Sequence, residues 1–452
     1  MSTAAATTAI ATDPLDIERG YRHYRPRILL WSIIGYAMFY FVRKNLSIAM
    51  PVMEQQLGVT KSSLGIFLTL HGVIYGVSKF GNGILGDRVS APSFMAIGLF
   101  CSAIINVFFG LSAAVITLGV LWMINGYFQG IGFPPCARLL THWFSPKELA
   151  TKMAIWNTSH GIGAATVLIL CGWLVDRFND WRLCFFVPAG LAIATSGLVL
   201  IYLKDTPASV GLPPVPGTGS DDEPVAKPQR EVLMHRVFAN YYVWLFSVAN
   251  FFVYVVRYAI FDWGPTMLKE SKGMTLTNAS WIMAGFEIAG VIGALFAGWI
   301  TDRYFRGRAA RPAVFCMIGC GAATYMLWRV PSGHLIAIAL LWLAAGFFVY
   351  APQALVGIAA ANLATKEAAA TAVGLTGLFG YASTVVSGFG MGWLAQHYGW
   401  DRAFQAMLLA VAAGLLLFIL AWQAPRDGYG ATVEVGGFPI EPTSDRRAEI
   451  PT

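Results

Sequence analysis

Charged residues are scarce in this sequence. Only 12% of its 452 residues are Asp, Glu, Lys or Arg, whereas 56% are hydrophobic. A soluble domain is about 25% charged, so the composition excludes an ordinary soluble protein and predicts one that crosses a membrane several times. The net charge of +7 comes from scattered basic residues that form no basic run or basic helix. It therefore does not indicate nucleic-acid binding.

Other absences narrow the possible functions further. The six cysteines lie in or beside apolar stretches and lack metal-ligand spacing, so we expect small core residues and no metal site. Residues 1–18 are polar and contain no short apolar stretch of the kind that a cleavable signal peptide needs. No nucleophile–base constellation or nucleotide-binding loop is present. We therefore expect no enzyme activity and no cofactor.

Long apolar stretches fill most of the chain. A membrane-spanning helix needs roughly 20 apolar residues, and the sequence predicts twelve such helices. They cover residues 28–50, 63–86, 92–113, 116–140, 152–175, 182–203, 241–267, 279–301, 312–329, 334–358, 369–395 and 402–423. The expected fold is thus an all-α membrane protein of twelve transmembrane helices.

A polar stretch separates the first six spans from the last six. Residues 204–236 contain two proline-rich or acidic segments, Pro213–Gly217 and Asp221–Pro224, which are typical of a flexible linker. The predicted organisation is an N-terminal tail (1–27), a six-helix bundle (28–203), a linker (204–240), a second six-helix bundle (241–423) and a polar C-terminal tail (424–452).

The distribution of basic residues between loops predicts the orientation. Twenty Lys and Arg lie in the tails, the linker and the loops on the same side as the N-terminus, seven lie in the opposite loops, and four lie within spans. Because loops on the cytoplasmic side carry the excess of positive charge, both termini are expected on the cytoplasmic side of the membrane.

The two halves repeat one another. The second span ends in Gly-x-x-x-Asp87-Arg88, and the eighth ends in Gly-x-x-x-Asp302-Arg303, 215 residues later. The fifth and eleventh spans close with Gly-Trp-Leu and then Trp, at offsets of 219–220. Parallel repeats of six helices are the plan of the major facilitator superfamily. The Asp and Arg of each turn are candidates for tying neighbouring helices together in one transport state.

Two arginines lie inside spans. Arg43 lies within residues 28–50 and Arg257 within 241–267, each preceded by a Tyr three residues earlier, 214 residues apart. A charge at the bilayer centre costs about 2.5–3.5 kcal/mol on insertion scales, so it usually faces a wet cavity and has a task. Two guanidiniums, one from each half, facing a shared cavity would hold a phosphate group.

Further polar residues within the spans follow the same local pattern. Each basic residue has an aromatic residue about one turn earlier on the same helix face, which could steady the cation or hydrogen-bond an anion. The candidate binding residues found in this way are Arg43, Arg257, Lys79, His160, Tyr36, Tyr40, Tyr75 and Tyr254. The candidates for ion pairs or gating are Lys44, Glu287 and Asp262, besides Asp87, Arg88, Asp302 and Arg303.

These residues stand in stretches that resemble one known family. The stretches include Phe41–Asn45, Tyr75–Phe80, Phe128–Cys136, Trp156–His160, Arg257–Trp263, Phe286–Gly290 and Leu375–Tyr381. From Tyr21 to about Gln423 the chain resembles the organophosphate:phosphate antiporters, which include the glycerol-3-phosphate, hexose-phosphate and phosphoglycerate transporters and the related hexose-phosphate sensor.

The resemblance implies a function. Members of this family exchange an external organic phosphate for internal inorganic phosphate by rocking two bundles about a central site. Their paired phosphate-binding arginines match Arg43 and Arg257, their histidine matches His160, and their lysine matches Lys79. Pocket tyrosines match Tyr36, Tyr40, Tyr75, Tyr254 and Tyr350. The expected partners are the two small phosphate compounds and membrane lipid, with a monomer as the expected state.

The sequence also departs from the family pattern. His160 is followed by Gly161 where the family often has Asn, and Tyr350 is followed by Ala351 where it often has Gly. Hexose-phosphate carriers place an acid and a base in the eleventh span, whereas residues 369–395 carry no charge. This difference favours glycerol-3-phosphate slightly over a sugar phosphate.

Two other functions use the same pocket. A membrane receptor would bind a sugar phosphate and pass a conformational signal to a kinase partner while moving little cargo. A proton-coupled anion symporter would take up its substrate without needing trapped phosphate. Binding-site residues alone do not separate these functions from an exchanger.

Overall fold

We describe a computed structural model of the chain, which covers residues 13–86, 88–215, 230–426, 428, 433–435 and 438–440. The helices are α1 (Pro14–Phe41), α2 (Asn45–Leu57), α3 (Lys61–Gly86), α4 (Ala91–Leu111), α5 (Val115–Gln129), α6 (Phe133–Trp143), α7 (Pro146–Phe178), α8 (Leu183–Tyr202), α9 (Arg230–Leu233), α10 (Tyr241–Lys272), α11 (Leu276–Tyr304), α12 (Ala310–Arg329), α13 (Leu335–Ala382) and α14 (Met391–Leu420). Two short strands, β1 (Val433–Val435) and β2 (Phe438–Ile440), pair antiparallel in the C-terminal tail.

The helices correspond to twelve membrane crossings. Ten helical stretches among the described residues are long and apolar enough to span a membrane. The last of these, Thr371–Leu420, is 50 residues long and bends at Gly399, where φ is 76°, so it provides two crossings. The first crossing consists of α1 and α2 together, interrupted at residues 42–44. The prediction of an all-α protein with twelve membrane helices is confirmed.

Three crossings have backbone features that the sequence did not predict. The first span breaks between Phe41 and Asn45, and the fourth breaks between Gln129 and Phe133. A π-helical turn, Val385–Gly390, lies within the eleventh span. Broken helices in membrane proteins occur where the backbone is buried in protein or lines a cavity, so these breaks mark the interior of the molecule.

The helices pack as two groups, α1–α8 and α10–α14, called here the N-bundle and the C-bundle. The principal contacts within the N-bundle join α3 to α5, α4 to α8 and α1 to α7, and those within the C-bundle join α13 to α10, α11 and α12, and α10 to α14. Glycines allow several close crossings: a Cβ atom on Gly163 of α7 would lie 2.5 Å from Ala37 O, and one on Gly293 of α11 would lie 2.0 Å from Phe347 O.

The apolar core differs between the two ends of the molecule. One cluster of buried residues includes the N-bundle residues at the end formed by α2 and the start of α3, which we call the α2–α3 end, and continues from there through the length of the C-bundle. A second cluster, which includes Ile28, Met95 and Leu212, lies in the opposite half of the N-bundle alone. The bundles are therefore packed together at the α2–α3 end, and the opposite end, called the terminal end, has a core of its own in the N-bundle.

The first part of the predicted linker is packed rather than free. Leu212 is buried, and the Tyr21 hydroxyl donates a hydrogen bond to Pro213 O. Residues 204–215 thus continue the N-bundle at its terminal end, and a 3₁₀ turn, Pro207–Val210, lies among them. The acidic segment Asp221–Pro224 lies outside the described residues.

Candidate functional site

The break in the first span carries Arg43. Its guanidinium carbon lies 4.1 Å from the ring centroid of Tyr75 on α3 and 5.6 Å from that of Tyr40 on α1. Such packing steadies the cation through the negative face of the ring. In the described part of the chain, Arg43 forms no ion pair with a carboxylate.

Arg257 occupies the matching position in the C-bundle. Its guanidinium carbon lies 4.2 Å from the ring centroid of Tyr350 on α13, and its Nη2 donates to the Tyr350 hydroxyl at 2.7 Å. That hydroxyl in turn donates to Oε1 of Glu287, which is 1% exposed. Arg257 is thus linked to a carboxylate through a tyrosine. Its buried Nε has no hydrogen-bond partner among the described residues, and a buried donor without a partner is costly unless a ligand or water satisfies it.

A series of aromatic contacts joins the two arginines. On one side, the Tyr75 ring lies 5.1 Å from Tyr381, which lies 6.4 Å from Tyr254, one turn before Arg257. On the other side, Tyr258 lies 5.6 Å from the Arg257 guanidinium and 5.5 Å from Lys44 Nζ, next to Arg43 in sequence. One cation from each bundle therefore lies in a single tyrosine-lined region.

The remaining predicted binding residues border the same region. Lys79 Nζ lies 5.8 Å from the Tyr381 ring and 4.8 Å from the Phe133 ring. The His160 ring lies 5.9 Å from Tyr40, and its Nδ1 is hydrogen-bonded to Asn157 O. The Tyr36 ring packs between those of Tyr40 and Trp156, with ring centroids 5.7 and 4.6 Å away. The structure thus brings together all nine of the binding residues expected from the sequence.

Lys44 and Asp262 form an ion pair between the bundles. Lys44 Nζ lies 2.8 Å from Asp262 Oδ1, and the two side chains are only 10% and 14% exposed. Lys44 also lies 3.9 Å from the Phe261 ring. The adjacent residues Arg43 and Lys44 therefore have different partners, the first in the N-bundle and the second in the C-bundle.

More contacts join the bundles at the α2–α3 end. Lys61 at the start of α3 lies 2.6 Å from Glu54 of α2 and 3.0 Å from Glu270 of α10. Further direct bonds between the bundles include Ser62 N to Gln396 Oε1, Lys269 Nζ to Gln55 Oε1, Thr277 N to Asp176 Oδ2, and Thr69 Oγ1 to Thr384 O. The passage from the site towards this end is therefore closed.

The sequence reasoning missed three residues in this region. Tyr258 and Tyr381 complete the contacts between the arginines, and Gln353 Nε2 donates to the Tyr254 hydroxyl at 3.3 Å. Tyr381 ends one of the stretches that carry the family resemblance, and Tyr258 directly follows Arg257. Neither has a basic residue one turn later, which was the signal used to select tyrosines.

The repeated turns that contain Asp87 and Arg88, and Asp302 and Arg303, show no ion pair between helices in the described part of the chain. Asp87 lies outside the described residues, Arg88 is exposed, and so are Asp302 and Arg303. Where the structure describes the chain, Arg88, Asp302 and Arg303 form no ion pair. The turn after α3 is tied instead by two residues that the sequence reasoning missed: Arg138 Nη1 donates to Gly86 O at 3.2 Å, and Arg138 Nη2 pairs with Asp205 at 3.1 Å.

Comparison with known proteins identifies the family. The model of the Major Facilitator Superfamily matches residues 32–382 and, in an overlapping second match, residues 247–444. The chain is 36% identical to the probable hexose phosphate transport protein of Chlamydia trachomatis over 92% of this chain and 95% of the relative. It is 36% identical to the glycerol-3-phosphate transporter of Bacillus subtilis, over 92% of this chain and 96% of that relative. It is 38% identical to the membrane sensor protein UhpC of Salmonella typhimurium, over 95% and 99%.

The chain belongs to the organophosphate:phosphate antiporter family of the major facilitator superfamily. It is therefore a multi-pass integral membrane protein, and the expected resemblance is confirmed. A solved structure of a bacterial homologue of the human lysosomal transporter Spinster has the same fold, with a TM-score of 0.73 at 15% identity, covering 89% of this chain and 97% of that one. Among the relatives of this antiporter family are both transporters and a sensor, so membership alone does not choose between these activities.

Proposed function

We propose that the protein exchanges an organic phosphate ester for inorganic phosphate across a bacterial inner membrane, using one central site that opens to each side in turn. One observation carries the proposal: a series of tyrosines joins Arg43 of one bundle to Arg257 of the other. Neither arginine forms an ion pair among the described residues. A phosphate dianion is the ligand that two such guanidiniums fit best, because each presents two parallel donors.

The phosphate would couple binding to movement. Without an anion, the two guanidiniums repel one another across the site, which opposes closure of the bundles around it. A bound phosphate replaces that repulsion with attraction to both arginines and stabilises the closed form relative to the open one. Since a ligand shifts a conformational equilibrium only through such a difference in affinity, movement would require cargo in both directions, which is exchange.

The predicted orientation in the membrane indicates which side the site would open to in this conformation. With both termini in the cytoplasm, as the loop charges predict, the α2–α3 end faces the periplasm. The ion pairs Lys61–Glu270 and Lys44–Asp262 lie at or towards that end, so the conformation described above would be open to the cytoplasm. Glu287 would partner Arg257 through Tyr350 until phosphate arrives.

The test is counterflow of labelled phosphate in proteoliposomes loaded with unlabelled phosphate. Arg43→Lys should slow exchange roughly ten- to hundredfold, because an ammonium lacks the two-pronged contact and loses charge-assisted hydrogen bonds. Arg182→Lys is the matched control: its guanidinium also lies over an aromatic ring, that of Trp181, but away from the site. Near-parental exchange by a folded Arg43→Lys protein would refute the role given to Arg43.

The organic part of the substrate needs a separate experiment. The absence of charge in residues 369–395 favours glycerol-3-phosphate, whereas the relatives include a probable hexose phosphate transporter as well as a glycerol-3-phosphate transporter. We expect glycerol-3-phosphate to compete with labelled phosphate at lower concentration than glucose-6-phosphate does. The reverse order would assign the protein to the sugar phosphates.

A receptor is the second candidate, because the chain is 38% identical to the membrane sensor protein UhpC. A receptor would bind phosphate esters through the same residues and signal to a kinase partner. The counterflow assay separates the two: tight binding with no exchange in sealed vesicles would indicate the receptor. Uptake that collapses with an uncoupler and needs no trapped phosphate would instead indicate a proton symporter.

A further inference from the structure

A buried polar network lies beneath the break in the first span. It consists of Asn45 on α2, Ser102 and Asn106 on α4, and Asn125 and Gln129 on α5, of which the first four are 0% and Gln129 is 3% exposed. None of these residues faces the tyrosine-lined site through a described contact. Burying a polar side chain costs free energy unless the group is hydrogen-bonded, and the apolar interior of a membrane raises that cost. We therefore asked which hydrogen bonds these five side chains make.

The network converges on one backbone oxygen. In an unbroken helix, the carbonyl of Val42 would accept from the N–H four residues later. Here it accepts instead from Asn106 Nδ2 at 3.0 Å and from Asn125 Nδ2 at 2.9 Å. A carbonyl oxygen has two lone pairs, so two side chains from two other helices fully satisfy the group that the break releases.

The rest of the network holds these two amides in place. Asn106 Oδ1 accepts from Asn45 Nδ2 at 2.8 Å, and Asn45 Nδ2 also donates to Cys184 O on α8 at 2.9 Å. Asn125 Oδ1 accepts from Ser102 Oγ at 2.5 Å. Val42 in the break and Asn45 directly after it are thus attached to α4, α5 and α8 by side-chain hydrogen bonds.

We propose that Asn106 and Asn125 are positioning residues that keep the first span broken at residues 42–44, so that Arg43 packs on Tyr75 while Lys44 reaches Asp262. If the helix continued through Lys44, the Val42 carbonyl would return to the helix and the backbone that carries both cations would turn. The phosphate part of this inference rests on the proposed function, whereas the placement of Lys44 opposite Asp262 does not.

The experiment replaces one amide at a time and measures two properties. Asn125→Leu and Asn106→Leu have side chains of similar size that cannot donate to Val42 O. Gln129→Leu is the matched control, because Gln129 donates to Ser102 Oγ at 2.7 Å in the same network but not to Val42. Size-exclusion profile and melting temperature in detergent show that each full-length variant is folded. Asn125→Ala replaces Asn125→Leu if the leucine prevents folding.

The first measurement is independent of any substrate. Lys44→Cys and Asp262→Cys are introduced together into a background without the six native cysteines, with a protease site in the linker to separate the halves. A short thiol cross-linker should join the halves efficiently. Adding Asn125→Leu or Asn106→Leu should lower the yield several-fold, while adding Gln129→Leu should leave it near the parental value.

The second measurement is the Kd for inorganic phosphate of variants in the native chain. We expect Asn125→Leu and Asn106→Leu to weaken binding roughly tenfold or more, equivalent to losing one charge-assisted contact, and Gln129→Leu to weaken it little. Parental cross-linking and parental Kd in the folded asparagine variants would overturn the proposal, as would an equal loss in Gln129→Leu. A parent that binds no phosphate, with cross-linking still lost in the asparagine variants, would refute the proposed function and uphold the positioning.

Discussion

At the residue scale, the Lys44–Asp262 pair is the contact between the bundles with the least exposure to solvent among the ion pairs described. Its charges attract one another strongly in a medium of low dielectric constant, but each also loses hydration. The ion pair therefore adds little stability compared with an apolar pair of the same shape. Removing only one partner, however, leaves the other charge buried without a counter-charge.

This asymmetry gives a prediction for single and double variants. Asp262→Asn should destabilise the protein by about 3 kcal/mol because Lys44 then lies nearly buried without a counter-charge. The double variant Lys44→Met/Asp262→Leu should regain most of that stability, although not transport. Melting temperature in detergent measures the first effect and counterflow the second. Equal melting temperatures for Asp262→Asn and the parent would contradict the burial of the pair.

At the element scale, close helix crossings set the shape of each bundle. Gly293 lets α11 approach α13 at Phe347, where a methyl group would lie 2.0 Å from a backbone oxygen. Gly298, five residues later on the same helix, has nothing within 4 Å of its added Cβ. The two glycines therefore separate the effect of a crossing from the effect of helix propensity.

Gly293→Ala should destabilise the C-bundle by about 1–3 kcal/mol, because the backbones must move apart. Gly298→Ala should be neutral or slightly stabilising, since alanine favours the helix by about 1 kcal/mol over glycine. Thermal melting of both variants in the same detergent provides the comparison. If Gly298→Ala lowered the melting temperature as much as Gly293→Ala, the close approach would not be the cause.

The elements also show how far the sequence could predict the structure. Apolar length was sufficient for the twelve crossings, because the thickness of the bilayer sets the length of each one. The break after Gln129 had a local signal in Gly130 and Gly132, ahead of Pro134 and Pro135. The break at Val42–Lys44 has no glycine or proline and is held by Asn106 and Asn125, which lie more than sixty residues away. A feature stabilised only by distant side chains is not visible in a local pattern.

The same limit applies to the site. Arg43, Lys79 and Arg257 were identified because a charge in an apolar span is unusual. Tyr258 and Tyr381 were missed because a tyrosine in such a span is ordinary, and only the fold shows that they lie between the arginines. The partner of Lys44 was left open among several possibilities, since the sequence does not say which carboxylate on the other bundle faces it.

At the scale of the whole molecule, the contacts between bundles are concentrated at the α2–α3 end. Lys61 has one carboxylate partner in its own bundle, Glu54, and one across the interface, Glu270. These side chains are 12%, 29% and 33% exposed, so each pair contributes modestly. Only the second pair is lost when the bundles separate at this end.

Glu270→Gln should therefore favour the conformation that is open at the α2–α3 end, by roughly two- to fivefold in population. Glu54→Gln is the control, since it removes a similar charge from the same lysine without crossing the interface. Distances between nitroxide labels on exposed positions of α3 and α11 at this end would report the change. An equal shift in both variants would mean that the interface pair does not hold this end closed.

Trp156 packs against Tyr36 at the border of the tyrosine-lined region, with the ring centroids 4.6 Å apart, and is itself 2% exposed. Its indole N–H is buried without a partner among the described residues. Cargo that moves Tyr36 would change the surroundings of this indole, so its fluorescence should respond to occupancy without any attached dye. The chain has fifteen tryptophans. Comparing emission spectra of the parent and Trp156→Phe during a phosphate titration would separate the Trp156 signal from that of the other fourteen.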